Sequence, residues 1–239
     1  MLAKAEPVVR KNSQKEYVLK EPVAKRAPIY PWDKKGPSKY TKITKEHFRC
    51  KGSFANPVRT VVQKNGSLER YFDCGGMDRH SLYLKEGQEY IYPVLLNLLN
   101  YIQEVSGHKV IITSGYRCPD HNAYVDPANH SSKHMVGAAV TFYVQDFDIQ
   151  KVVLLIQKYY AQNKELSSFE RYTKNDTDCS TPPWMNKEVY VKLYMGSEGR
   201  NPDNGHPFPY LSLQVRHDMI RDKKVAYSWE EAFRSYLRK

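Results

Sequence analysis

The stretch from Ile112 to Val144, ITSGYRCPDHNAYVDPANHSSKHMVGAAVTFYV, constrains this chain more than any other. A β-rich run, Lys109 to Thr113, delivers Ser114-Gly115-Tyr116-Arg117 at its end, and a second run begins at Ala138. Between them lies a loop-like segment that carries Ser132 and His134. Each residue type has a physical task there. Arg117 offers a planar fork to a ligand's carboxylate or forms an ion pair that stabilises the fold, Gly137 and Ala139 permit close backbone approach, and His134 can ligate a metal or make a structural hydrogen bond.

The spacing Ser114-Gly115-Tyr116-Arg117, then Asn122, then Ser132, His134, Gly137 and Ala139 resembles the zinc D,D-carboxypeptidases that trim peptidoglycan. Their small α+β fold is also seen in the hedgehog signalling domain, and the likeness covers roughly Phe48 to Val215. The resemblance implies a ligand aspartate seven residues after His134, where this chain has Thr141. It also implies a second metal histidine on a later strand, aligned here to Tyr210 through Arg216, with Ser212 at that place. Pro209 stands where some members hold the catalytic glutamate. Another register would offer His206 or His217 as the ligand, and His130 lies four residues before His134.

A catalytic zinc takes three protein ligands and keeps a fourth position for a water whose pKa it lowers toward about 7. Thr141 and Ser212 carry hydroxyls that stay neutral and are poor substitutes for a carboxylate and an imidazole. Without a base at Pro209, hydrolysis also lacks a proton acceptor. The expectation is therefore a degenerate family member with no catalytic residues and no cofactor, whose only candidate metal ligand is His134. Its former active-site cleft, formed by Ser114, Tyr116, Arg117, Ser132, His134, Thr141 and Ser212, would serve for binding. The expected role is a non-catalytic module of the bacterial cell envelope that holds peptidoglycan or an envelope protein partner. The alternative is an active zinc D,D-carboxypeptidase with an atypical ligand set, which would need a further acid such as Asp146 or Asp148 turned inward.

Four cysteines, Cys50, Cys74, Cys118 and Cys179, lie far apart, with no C-x-x-C pair. An even count suits an oxidising compartment, and of three connectivities Cys50 with Cys74 and Cys118 with Cys179 is preferred; four reduced, buried thiols are the other reading. Ala3-Lys4-Ala5 reads as the tail of an A-x-A cleavage site. With the resemblance, these features point to an exported, periplasmic or envelope protein. No run approaches the ~20 apolar residues of a membrane span.

The net charge of +11 is uneven: residues 1–46 hold 12 Lys+Arg against 5 Asp+Glu, and 5 of the 14 prolines. Proline breaks helices and cannot donate to a sheet ladder, so residues 1–46 read as an extended basic arm before a domain over 47–239. The arm's charges come singly or in pairs among prolines and aromatics, without a groove-reading helix, so a nucleic-acid partner is not expected. An anionic envelope polymer or acidic protein fits the charge.

The remainder reads as α+β, a small central antiparallel sheet with helices packed on it. Asn65-Gly66 marks a hairpin within Val58 to Phe72. The apolar run after Pro93 predicts a buried helix stopped near Gly107. Asp148 predicts the cap of a helix to about Gln162, with Ile149, Val152, Val153 and Ile156 on its core face. Val189 to Tyr194 and Tyr210 to Arg216 predict paired strands, and Ser228-Trp229-Glu230-Glu231 predicts a capped helix to about Leu237 that packs on the domain. Asn65, Asn129 and Asn175 begin N-glycosylation patterns, which occur by chance in short sequences.

Overall fold

A computed structural model describes residues 39–63, 65–172 and 178–238. The chain divides between Pro37 and Ser38. Residues 1–38 of the expected arm, including Ala3-Lys4-Ala5, and the pattern at Asn175 lie outside the described residues.

Strands β1 (Arg59–Val62) and β2 (Leu68–Tyr71) pair across Asn65-Gly66, where Gly66 has φ +82°. Two short strands, β3 (Leu84–Lys85) and β4 (Gln88–Glu89), precede helix α1 (Pro93–Ser106). Gly107 ends α1 in the left-handed conformation, where glycine carries no Cβ penalty. Strand β5 (Val110–Ser114) leads to α2 (Pro119–Val125), β6 (Ala139–Val144) and α3 (Ile149–Tyr160). Strands β7 (Glu170–Arg171), β8 (Trp184–Met185), β9 (Val189–Tyr194) and β10 (Tyr210–Val215) follow. A small hairpin, β11 (His217–Asp218) with β12 (Lys223–Lys224), leads to α4 (Trp229–Arg234).

The main sheet has six strands in the order β5-β6-β10-β9-β8-β7, and every neighbouring pair is antiparallel. Strict alternation gives its central strands two different faces. Val140, Phe142, Leu211, Leu213, Val191 and Leu193 enter the core, to which α1 and α3 contribute Leu95, Leu98, Leu99, Ile102, Val152 and Ile156. Each of these side chains contributes about 1.5–3 kcal/mol by leaving water. The alternate residues Thr141, Ser212, Gln214, Lys192 and Tyr194 line a cleft on the other face. The Asp148 side chain accepts from Gln150 N–H at 2.8 Å and caps α3.

Segments outside the sheet are tied to it by specific polar contacts. Asn100 on α1 accepts from Ile43 N–H and donates to Ile43 C=O, both at 2.8 Å, and Gln103 donates to Thr41 C=O at 3.0 Å. These bonds hold the described residues before 47, and Ile43 is buried. The Lys51 ammonium donates to the Ile112 carbonyl on edge strand β5. Helix α4 starts at its Ser228 cap but stops at Arg234, short of Leu237, and Tyr236 turns inward while Trp229 and Phe233 stack at 4.8 Å, each 42% exposed.

Candidate functional site

The cleft is a polar cavity of about 490 Å³. Its floor is set by strand register: Ser212 on β10 is the partner of Thr141 on β6 and of Lys192 on β9. Its wall is the 3-10 turn Lys133–Val136, capped by Ser132, whose hydroxyl accepts from His134 N–H at 3.3 Å. Gly137 ends that turn at φ +67°, and an added Cβ would stand 2.6 Å from the Tyr90 carbonyl oxygen, so glycine is required twice over.

Arg117, Ser132, His134, Thr141 and Ser212 all line this cleft. Ser114 and Tyr116 do not. Ser114 lies behind Arg117, accepting from its Nε at 2.7 Å, and Tyr116 stands edge-on to His80 at 6.1 Å with its buried hydroxyl unpartnered. Burial, with the nearby thiols, pushes the Tyr116 phenol well above its ordinary value.

His134 donates from Nδ1 to the Gly115 carbonyl oxygen at 2.6 Å, which leaves Nε2 as an acceptor. Burial, reinforced by the Arg117 charge, pushes its pKa down to about 3, so the ring is neutral at ordinary pH. A metal-binding histidine commonly has this arrangement of the second nitrogen, but a zinc also needs companions. The hydroxyls of Thr141 and Ser212, the residues that share the cleft with His134, do not fit it. Among the described residues, two groups of at least three His, Cys, Asp or Glu donors come within ligating reach of one another, and neither includes His134.

The other candidates for restoring a ligand set sit elsewhere. His206 packs on Tyr143, Phe208 and Tyr210, His217 pairs with Asp222 at 2.9 Å, and His130 is exposed. Asp148 is occupied as a helix cap and Asp146 forms the preceding turn at φ +53°. Asp126 and Asp178 are the carboxylates among the described residues lining the cleft. Asp126 accepts from Asn129 at 2.6 Å; Asp178 accepts from Lys192 at 2.6 Å and from the Tyr194 hydroxyl.

Behind the cleft runs a buried ionic chain through Arg117, whose other members, Asp203, His121 and Asp73, sequence reasoning missed. His121 meets Asp73 through Nδ1 at 2.6 Å and Asp203 through Nε2 at 3.0 Å, and Asp203 in turn meets Arg117 Nε at 3.2 Å. Burial opposes a charge on His121, but its bonds to Asp203 and Asp73 prevail and raise its pKa to about 9. Burial likewise opposes the Asp203 carboxylate, yet His121 and Arg117 hold it well below the usual range. Arg117 is thereby an ion-pair residue of the fold as well as part of the cleft wall. Asp203 sits in the short 3-10 turn Pro202–Asn204, within a stretch whose composition signals only turns, so no local pattern identifies it.

The expected disulfides are not formed. Cys50 Sγ and Cys74 Sγ are 3.6 Å apart, against about 2.05 Å for a bond, and all four cysteines are buried and outside any disulfide. Cys118 is not beside Cys179: it joins Cys50, Cys74 and His80 in a group whose donor atoms lie within 4.8 Å of one another. Cys179 packs with Tyr194 and Tyr210 and donates to the Thr181 carbonyl at 3.3 Å. Pairing by proximity along the chain could not anticipate that the start of α2 returns beside Cys50 and Cys74. Without disulfides, the cysteine count ceases to argue for an oxidising compartment. No described helix is long and apolar enough to cross a membrane.

Neither the curated proteins nor the solved structures provide a match to this chain. A family model described as Peptidase M15 matches residues 70–176, less than half of the 239 residues. That range holds the Ser114-to-Thr141 segment and stops before Ser212. Over residues 70–176 this chain is similar to Peptidase M15, a zinc D-Ala-D-Ala carboxypeptidase-like family.

Proposed function

We propose that the protein is a non-catalytic, peptidase-like module of the bacterial cell envelope, which holds peptidoglycan stem peptides in the cleft between His134, Thr141 and Ser212. The observation that carries this reading is the convergence of those three residues with only one metal-binding group among them. A polar cleft remains, with a histidine acceptor at Nε2 for a peptide N–H and the Arg117 guanidinium in its wall for a carboxylate. The envelope assignment rests on the family's substrate class alone. The basic segment 1–46 supplies a second contact to an anionic polymer in this reading.

The test is incubation of the full chain with purified sacculi, followed by sedimentation and by analysis of released D-alanine. Cosedimentation without release, weakened by Arg117→Ala or by removal of residues 1–46, is the expected result. Release of D-alanine that stops with chelator and with His134→Ala would make the protein an active zinc carboxypeptidase. Absence of sedimentation would move the search to an envelope protein partner and discard peptidoglycan as the ligand.

A further inference from the structure

Cys50, Cys74, His80 and Cys118 come from four separate places: the segment after the 3-10 turn Lys45–Phe48, the exit of the β1–β2 hairpin, the stretch after the 3-10 turn Gly76–Asp78, and the N-cap of α2. They are 4%, 7%, 4% and 0% exposed, and their donor atoms fall within 4.8 Å of one another. We propose that these four side chains bind one structural zinc ion, at a site distinct from the peptidase cleft.

The geometry fits the ion. Zinc bound tetrahedrally, with Zn–S about 2.3 Å and Zn–N about 2.0–2.1 Å, places two sulfurs roughly 3.8 Å apart and a sulfur and a nitrogen roughly 3.5 Å apart. Cys50 Sγ to Cys74 Sγ is 3.6 Å and Cys74 Sγ to His80 Nε2 is 3.5 Å. Three sulfurs and one imidazole fill the four positions of a closed site, and this soft donor set selects zinc over magnesium or calcium.

The surrounding groups orient these donors. His80 donates from Nδ1 to the Ser81 carbonyl at 2.8 Å, which turns the Nε2 lone pair toward the sulfurs. Backbone N–H groups of Gly76 and His121 point at Cys74 Sγ and Cys118 Sγ, each at 3.4 Å, and would support thiolate charge. The backbone closes around the cluster: a Cβ on Gly52 would stand 2.2 Å from Cys74 Sγ. Beside Cys74 and His80 a cavity of about 620 Å³ opens to solvent and gives the ion a route in.

On binding, the thiols lose their protons to solvent and His80 binds as the neutral ring, so affinity rises with pH. The ion would join the chain before β5 to the hairpin and to α2. Tyr116 N–H already donates to the Phe48 carbonyl at 2.7 Å in the same region, so the ion would also brace the loop that carries Arg117.

Elemental mass spectrometry on the untagged full chain, purified under reducing conditions without chelator, should find about one zinc per chain. His134→Ala should retain it, and Cys118→Ser or His80→Ala should lose it. Because those variants can fail to fold, zinc-edge X-ray absorption on the unaltered protein supplies the second reading. Three sulfur neighbours and one nitrogen support the site; a shell of nitrogen and oxygen only overturns it. Zinc absent even after incubation with excess metal, or a Cys50–Cys74 disulfide in the intact reduced-and-refilled protein, also overturns it.

Discussion

Thr141 and Ser212 face one another as register partners on adjacent antiparallel strands, and both line the cleft that His134 closes. His134 from the wall and Thr141 and Ser212 from the floor thus meet in one cleft, and two of these three side chains carry hydroxyls in place of metal-binding groups.

Restoring that chemistry is expected to restore a metal site. Thr141→Asp combined with Ser212→His should raise the zinc content by about one ion per chain over the parent protein. His134→Ala in the same background should abolish the gain. A gain that persists without His134 would show that the three positions do not converge on a metal.

Two histidines should contribute opposite limbs to the pH dependence of stability. His134 has its folded pKa pushed down to about 3, so the unfolded chain binds the extra proton as pH drops below about 6.5. That costs up to roughly 4–5 kcal/mol by pH 3, and His134→Gln should remove this part of the acid sensitivity. His121 has its pKa raised to about 9, so its contribution is complete below about 6.5 and is lost as pH climbs through 9, roughly 3 kcal/mol in all. Urea titrations across pH, with each histidine replaced in turn, separate the two limbs.

Removing Arg117 should cost stability as well as binding. Arg117→Ala leaves Asp203 buried with one fewer cationic partner and Ser114 Oγ without its donor, a loss on the order of 3 kcal/mol. Arg117→Lys should recover only part of it, because an ammonium cannot reproduce the fork. Full stability in Arg117→Ala, measured by denaturant unfolding, would remove Arg117 from the ionic chain.

Gly115 should not tolerate a side chain. A Cβ there would lie 2.6 Å from both Cα and the carbonyl oxygen of Phe48, and these backbone atoms cannot rotate away. Gly115→Ala is expected to destabilise by about 1–3 kcal/mol and to shift the His134 acceptor carbonyl. An unchanged melting temperature would contradict the close approach.

The parts of the fold governed by local pattern were readable from the chain. Val189, Val191 and Leu193 alternate with Tyr190, Lys192 and Tyr194, and that period of two marks both the strand and its buried face. Gly107 and Asp148 marked helix boundaries because their roles depend on backbone conformation and one side-chain bond. Five of the seven residues named for the cleft, Arg117, Ser132, His134, Thr141 and Ser212, come together in one cavity, because a fixed spacing and the order of strands constrain where they lie. Tyr116 was misplaced because its neighbours, Cys50 and His80, come from other segments. The ionic chain and the cysteine cluster were illegible for the same reason. Asp203 lies 86 residues from Arg117, and Cys118 lies 44 residues beyond Cys74, so only the folded backbone relates them. The two-residue strands β7 and β8 are too short to carry a periodic signal.

The lysine seated on β5 bears on how the sheet meets other chains. An edge strand is a template on which a foreign strand can grow, and proteins guard such edges with charge. A strand approaching β5 would have to dislodge the Lys51 ammonium from the Ile112 carbonyl, or bring its own amides against a cation already bonded there. The Lys51 amine thus occupies one acceptor on that edge, which discourages runaway pairing during folding without spending another strand on closure.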